Sequence, residues 1–232
     1  MKYRIENKYI VSESELALLE RRLMPIMAKD VHQTGKSYEI RSLYFDDFNN
    51  RCVDENEAGV DERRKYRIRI YSPDAATAKL EIKEKISNKT RKIVCPITRD
   101  EALQLMDGEY PAVPDDRAPL NLLRLSMRCT YMKPKATIIY DRTAFVYPEG
   151  NVRITIDRNI KASRAKEALF AQVPTGMISV LPTGMHVLEV KYDEFLPQFI
   201  ARQIDTGKLC QTSFSKYYLG YMATQGDFLT QF

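Results

Sequence analysis

The sequence predicts an α+β fold that is mainly β, built on an antiparallel sheet. Three observations predict it. Strand-like runs rich in Ile, Val, Tyr and Thr outnumber helical ones across the 232 residues. Several of those runs alternate apolar and polar residues with period two. The Pro- and Gly-bearing loops, at 108–119 (Pro111, Pro114, Pro119) and 173–185 (Pro174, Gly176, Pro182, Gly184), bring no change of composition, so residues 1–232 read as a single domain.

Strands are predicted at 3–11, 38–46, 64–72, 78–86, 90–97, 135–147, 151–158 and 186–193. The first helix is announced by the capping-box pattern Ser12-x-x-Glu15, followed by Leu16, Leu19 and Leu23 at helical spacing, and Pro25 ends or kinks it. Thr98-x-x-Glu101 opens a second helix that Gly108 closes. A third spans 118–132, with Leu120, Leu123 and Met127 on one face. Segments 195–206 and 214–223 complete the helical set.

Composition excludes several classes. The chain is 44% hydrophobic and 29% charged, with a net charge of +5, which alone argues for no particular partner. Cys52, Cys95, Cys129 and Cys210 are scattered, and His32 and His186 are the only histidines, so no zinc site is expected and free thiols in a cytoplasmic setting are. Nothing resembles a signal peptide or a membrane span. Thr34-Gly35-Lys36-Ser37 has the ending of a phosphate-binding loop, but Asp30 stands where its first glycine belongs. Asn88-Lys89-Thr90 is a glycosylation sequon in letters only.

The informative feature is which face of the strands carries charge. Side chains alternate across a strand, so Lys65, Arg67 and Arg69 share one face and Tyr66, Ile68 and Ile70 the other. The same reading groups Arg4, Glu6 and Lys8, then Glu81, Lys83 and Lys85, then Arg153, Thr155 and Asp157, then Glu189 and Lys191, with Tyr140 beside Arg142. These faces hold ten bases against four acids, an excess of six in a chain whose whole excess is five. A solvated face mixes signs. Recurring bases on neighbouring strands repel one another, and closing the sheet worsens this unless an anion fills it. Arginine forks and lysine ammonium groups both suit phosphate oxygens. Aromatic residues interleaved with the bases are few on these faces, which argues against nucleic acid.

In order along the chain, Glu6-Asn7-Lys8-Tyr9, SLYFD at Ser42–Asp46, K-x-R-x-R at Lys65–Arg69, LEIK at Leu80–Lys83, Tyr140-x-Arg142, VRITID at Val152–Asp157, LEVK at Leu188–Lys191 and Phe214-Ser215-Lys216 resemble the triphosphate tunnel metalloenzymes, the CYTH superfamily. Within them the chain is most similar to the polyphosphate-polymerase domain of the vacuolar transporter chaperone (VTC) complex and its bacterial relatives. The resemblance implies an eight-stranded closed antiparallel β-barrel, a tunnel with helices outside, that binds ATP or another triphosphate and inorganic polyphosphate with Mn²⁺ or Mg²⁺.

It further implies that Lys8, Arg67, Arg69, Lys83, Arg142 and Lys216 act on the phosphates. Arg153, Lys191, Ser215 and either Lys92 or Arg91 add contacts, and Glu189, with Glu6, serves the metal. Several have an ordinary alternative: Glu189 paired with Lys191 or a neighbouring base, Glu6 in a salt bridge to an adjacent arginine, Arg153 paired with Asp157, and Lys216 as a surface lysine; Tyr140, able to hydrogen-bond a phosphate, has packing as its alternative. The wider superfamily opens with E-x-E-x-K. Here Arg4 replaces the first carboxylate, which argues against a two-metal mechanism. The SPX domain and membrane helices of the fungal complex have no counterpart in these residues, so translocation is not carried over, although a membrane-protein partner is compatible.

The implied reaction is transfer of the γ-phosphoryl group of ATP to a polyphosphate chain. A metal-dependent triphosphatase or nucleoside triphosphatase, and a non-catalytic polyphosphate-binding module, are the alternatives.

Overall fold

The computed structural model describes residues 4–31, 33, 35–86, 89–109, 116–205 and 209–226. His32, Thr34, Asn88, Pro111 and Pro114, named above, lie outside the described residues. The elements run β1 (Ile5–Ser12), α1 (Glu13–Leu23), β2 (Ala28–Lys29), β3 (Tyr38–Asp46), α2 (Arg51–Glu57), β4 (Arg63–Ile70), β5 (Thr77–Ile86), β6 (Lys89–Thr98), α3 (Arg99–Asp107), α4 (Ala118–Thr130), β7 (Lys133–Tyr147), β8 (Val152–Ser163), β9 (Ile178–Ser179), β10 (Met185–Tyr192), α5 (Gln198–Ile204) and α6 (Lys216–Gln225).

The sheet follows the order β1-β10-β8-β7-β3-β4-β5-β6, with β2 on β7 and β9 on β8. Two corrections to the sequence reading follow. Among the described residues there are ten strands rather than eight, because β2 and β9 are two-residue pairings too short for an alternation signal. The sheet is also not closed into a barrel. One edge of β1 pairs with β10. Its other side meets the segment after α5, where Tyr9 bridges Gln211 and the Thr212 amide donates to the Lys8 carbonyl at 2.8 Å. Backbone groups that another strand could have used are thus covered.

The chain divides into two compact units, one comprising Met1–Glu39, Tyr140–Ile160 and Leu181–Phe214, the other Ile40–Ile139, Lys161–Val180 and Ser215–Phe232. In the first unit, the apolar faces of β1, β8 and β10 (Val11; Ile154 and Ile156; Leu188 and Val190) pack with Leu16, Leu19 and Leu23 of α1 and Ile200 and Ile204 of α5. The capping box closes as expected: Ser12 Oγ accepts from the Glu15 amide, and the Glu15 carboxylate accepts from the Ser12 amide. In the second unit, Leu43, Tyr66, Ile68, Leu80, Ile82 and Cys95 meet Leu105, Leu120, Leu123 and Met127 of α3 and α4. Thr98 caps α3, and Gly108, at φ 81°, ends it in the left-handed conformation glycine tolerates best.

The seven-residue α2 is absent from the sequence reading. Two aspartates start it: Asp47 Oδ1 accepts from the amides of Asn49 and Arg51, and Asp46 Oδ1 from that of Cys52. All four cysteines are free. No helix among the described residues is long and apolar enough to cross a membrane.

Gly220 on α6 sets how closely that helix approaches the sheet. A Cβ there would lie 2.3 Å from Ile138 Cδ1 and 3.2 Å from Ala162 Cβ. Gly220→Ala is therefore expected to cost about 1–3 kcal/mol by overpacking, measured by urea unfolding. Adding Ile138→Val, which deletes the obstructing methyl, should recover part of the loss.

Candidate functional site

In the second unit, strand register aligns the basic residues. Across β4 and β5, Arg63 faces Lys85, Lys65 faces Lys83, Arg67 faces Glu81 and Arg69 faces Lys79. Lys83 in turn faces Lys92 of β6, giving a row of three lysines on adjacent strands. Three of the four β4–β5 pairs on this face are like-charged, an arrangement that sheets avoid. Of the two candidates on β6, Lys92 shares this face, while Arg91 lies opposite Glu84 on the other.

Glu81 is the acid at the centre of the face, 2% exposed. Arg67 grips its Oε2 through Nε at 2.7 Å and Nη2 at 2.5 Å; Arg69 stands at 3.7 Å and Lys92 at 3.4 Å. Burial pushes the Glu81 carboxyl up, but the charges of Arg67, Arg69 and Lys92 outweigh it and hold its pKa at about 2.

The SLYFD segment supplies buttresses that the sequence reading missed. Ser42 Oγ accepts from Arg69 Nε at 3.2 Å, and the Tyr44 hydroxyl accepts from Arg67 Nη1 at 2.8 Å. Burial raises the Tyr44 pKa, yet Arg67 and Arg69 prevail and bring it below the ordinary tyrosine value. Tyr44 stacks on Tyr217 of α6 at 5.1 Å, and Tyr217 donates to Asp46 Oδ2 at 2.7 Å. Ser42, Tyr44 and Asp46 lie two apart on one strand face, so period two carried the signal. Ser215 caps α6 and accepts from Lys65 Nζ at 2.9 Å. Lys216, the first residue of α6, is close enough to Tyr44 to lower its pKa. Lys83 is exposed.

In the first unit the charges alternate across strands. Glu6 faces Lys191 and Lys8 faces Glu189. Lys8 Nζ lies 3.0 Å from Glu6 and 3.8 Å from Glu189; Lys191 Nζ lies 3.4 Å from each. The ordinary alternative for Glu189, a pair with Lys191, is thus present; Glu6 is salt-bridged to Lys8 and Lys191 rather than to an arginine, and the four form one ion cluster. Arg142 binds Asp157 through two nitrogens, at 2.6 and 2.7 Å, sits 4.0 Å from Glu189 and lies over the Tyr140 ring. Burial opposes the Arg142 charge, but Asp157, Tyr140 and Glu189 overcome it and raise its pKa. Asp157, the expected partner of Arg153, is taken by Arg142; Arg153 turns to Asp30 and the Tyr38 hydroxyl. A cavity of about 400 Å³ beside this cluster is lined by Glu6, Lys8, Gln211, Thr212 and Ser213, the last three unmarked by any sequence motif.

Among the described residues no group of three or more His, Cys, Asp and Glu is placed to hold a metal. Glu6 and Glu189, diagonal to each other on β1 and β10 and both in contact with Lys8 and Lys191, offer hard oxygen donors of the kind a cation such as Mg²⁺ takes, one that keeps several waters.

The fold and these faces define an antiparallel β protein whose basic side chains line strand faces opposite its apolar cores. The model of the VTC domain matches residues 3–225, and the chain belongs to that family. No curated protein sequence matches it. Among solved structures it is similar to a Bacillus halodurans protein provisionally assigned as an adenylate cyclase (TM-score 0.55, 14% identity, 92% of this chain and 94% of that one). It is also similar to a Hippeastrum protein provisionally assigned as an adenylyl cyclase and described as having dominant triphosphatase activity (TM-score 0.53, 15% identity, 99% and 98%). At these identities the likeness is one of fold.

Because the folded Glu81 pKa lies below its ordinary value of 4.5, its ion pairs stabilise the fold above that value and lose their effect as pH falls toward 2. Glu81→Gln is expected to lower stability at pH 7 by about 3 kcal/mol. The difference from wild type should close between pH 4.5 and 2, as followed by urea unfolding across that range.

Proposed function

We propose that the chain is a polyphosphate polymerase-like phosphotransferase of the VTC family, residues 1–232 acting as one functional domain, with ATP as phosphoryl donor and polyphosphate as acceptor. The observation that carries this reading is the run of like-charged cross-strand pairs, Arg63–Lys85, Lys65–Lys83–Lys92 and Arg69–Lys79. Such pairs oppose folding and are relieved by a ligand whose negative charges repeat along its length.

In the reaction, a terminal oxygen of the polyphosphate attacks the γ-phosphorus of ATP. The bond from that phosphorus to the β-bridging oxygen breaks, ADP leaves with the electron pair, and a new phosphoanhydride joins the chain. Such transfer needs positioning and charge neutralisation more than covalent help from the protein. Arg67 and Arg69, oriented by Glu81, Tyr44 and Ser42, hold phosphate oxygens with little reorganisation. Lys65, Lys83, Lys92 and Lys216 add point charge. Lys8, Arg142, Arg153 and Lys191 act on phosphates in the first unit, and Ser215 positions Lys65. Glu6 and Glu189 would hold a divalent cation, Mn²⁺ or Mg²⁺, which when bound supplies a Lewis acid for phosphate oxygens.

Incubation with ATP and Mn²⁺ or Mg²⁺ is expected to yield long phosphate chains on a gel. Arg67→Ala should lower kcat/KM at least about a hundredfold, the scale of losing a preorganised charge donor. Glu189→Ala should abolish synthesis while polyphosphate binding persists. Phosphate release without polymer would instead make the chain a triphosphatase. Binding without turnover across metals and primers would make it a polyphosphate-binding module.

A further inference from the structure

The second unit contains a cleft of about 940 Å³ between the start of α2 and the junction of α4 with β7, and none of the proposed phosphate-binding residues lines it. Its volume falls in the range of small-molecule sites. Phe48 and Tyr131 both line it, 78% and 69% exposed, among the most exposed large hydrophobic residues of the chain. Arg51, Lys133 and Lys135 line it too. Lys135 is fixed by a 2.8 Å hydrogen bond to Asn50 Oδ1.

Tyr131 is the residue that needs explaining. It caps the C-terminus of α4 at φ 53°, ψ 40°, in the left-handed region where a bulky side chain is strained and glycine is the usual occupant. Its ring gains little burial in return. A strained backbone that presents an exposed ring to a cleft is the kind of local cost found at binding sites. Flat aromatic rings favour stacking on flat ligands, and the three bases beside them favour an anion. Of the two acids lining the cleft, Asp47 is already engaged with backbone amides through Oδ1, while Asp54 is exposed and able to accept from an exocyclic amine.

We infer that this cleft binds a nucleoside phosphate, its base against Phe48 and Tyr131 and its phosphate toward Arg51, Lys133 and Lys135. This second nucleotide site stands whether or not the basic strand faces transfer phosphoryl groups.

Cys129 reports on occupancy, because it lines the cleft with an exposed free thiol, while Cys210, also exposed and free, does not line it. The full chain is alkylated with iodoacetamide, with saturating tripolyphosphate present to keep the nucleotide's phosphate off the strand faces, and AMP is titrated in. AMP is expected to slow modification of Cys129 and leave Cys210 unchanged, as read by mass spectrometry. Phe48→Ala should raise the half-protecting AMP concentration about tenfold, the scale of one lost stacking contact. Tyr131→Gly should abolish protection while raising the thermal midpoint by about 2–4 °C, because relief of the left-handed strain separates binding from folding.

The inference is overturned by absence of protection at millimolar AMP, by equal protection of both cysteines, or by full protection in Tyr131→Gly. It is overturned equally by protection that Arg67→Ala removes and Phe48→Ala does not, which would put the nucleotide on the strand face. A short oligoadenylate protecting far below the AMP concentration would reassign the cleft to single-stranded nucleic acid.

Discussion

Much of the second unit follows from one constraint: β4 and β5 are held in a register that sets base against base. That register is not free to slip. A one-residue shift of either strand would turn its apolar residues, Tyr66 and Ile68 on β4 or Leu80 and Ile82 on β5, out of the core they share with α3 and α4. The apolar face therefore fixes the pairing, and the repulsion on the other face is accepted as a consequence. Glu81 relieves it at one point only, gripping Arg67 while lying near Arg69 and Lys92. Dissolved salt screens such repulsion only partly; a bound polyanion places its charge at the bases themselves.

The first unit resolves the same problem differently. Glu6 opposite Lys191 and Lys8 opposite Glu189 alternate in sign across β1 and β10, so each charge has an opposite neighbour both across the strand pair and two residues along its own strand. Such a cluster is stable without a ligand. A cation entering it would compete with two lysines for the carboxylates, a contest eased when phosphates arrive with the metal and draw those lysines away. Metal and phosphate binding are in that case mutually supportive, because each relieves what the other would leave unpaired.

The strands were legible in the sequence because their core-facing sides are apolar at strict alternation: Tyr66, Ile68 and Ile70, or Leu188 and Val190. The capping boxes at Ser12 and Thr98 gave two helix starts for the same local reason. What was not legible depends on tertiary neighbours. Two-residue strands carry no period. The α2 helix begins through aspartate side chains bonding backbone amides, a pattern shared by many turns. Asp157 and Asp30 divided Arg142 and Arg153 contrary to the nearest-sequence expectation, since on β8 only cross-strand geometry decides which base reaches which acid. Closure of the sheet was expected from the resemblance, and the segment at Gln211–Thr212, which covers the edge of β1, has no apolar alternation to announce it.

The arginines and lysines of the basic face are held in different ways, and the difference bears on what each can do. Arg69 is 7% exposed and donates to Ser42; Arg67 is fixed at three points by Glu81 and Tyr44. Tyr44 is in turn stacked on Tyr217, which Asp46 anchors, so a chain of contacts from β3 through α6 determines where the Arg67 fork points. Immobilising a long side chain on ligand binding costs about 0.5–1.5 kcal/mol, and for these arginines folding has already met that cost. Lys83 and Lys92 are exposed and adaptable. In the proposed reaction a lengthening chain would offer equivalent phosphates in shifting positions, which adaptable lysines can follow, whereas the phosphorus that reacts must sit in one place. On that proposal the fixed arginines match the reacting phosphate and the exposed lysines the phosphates that move past it.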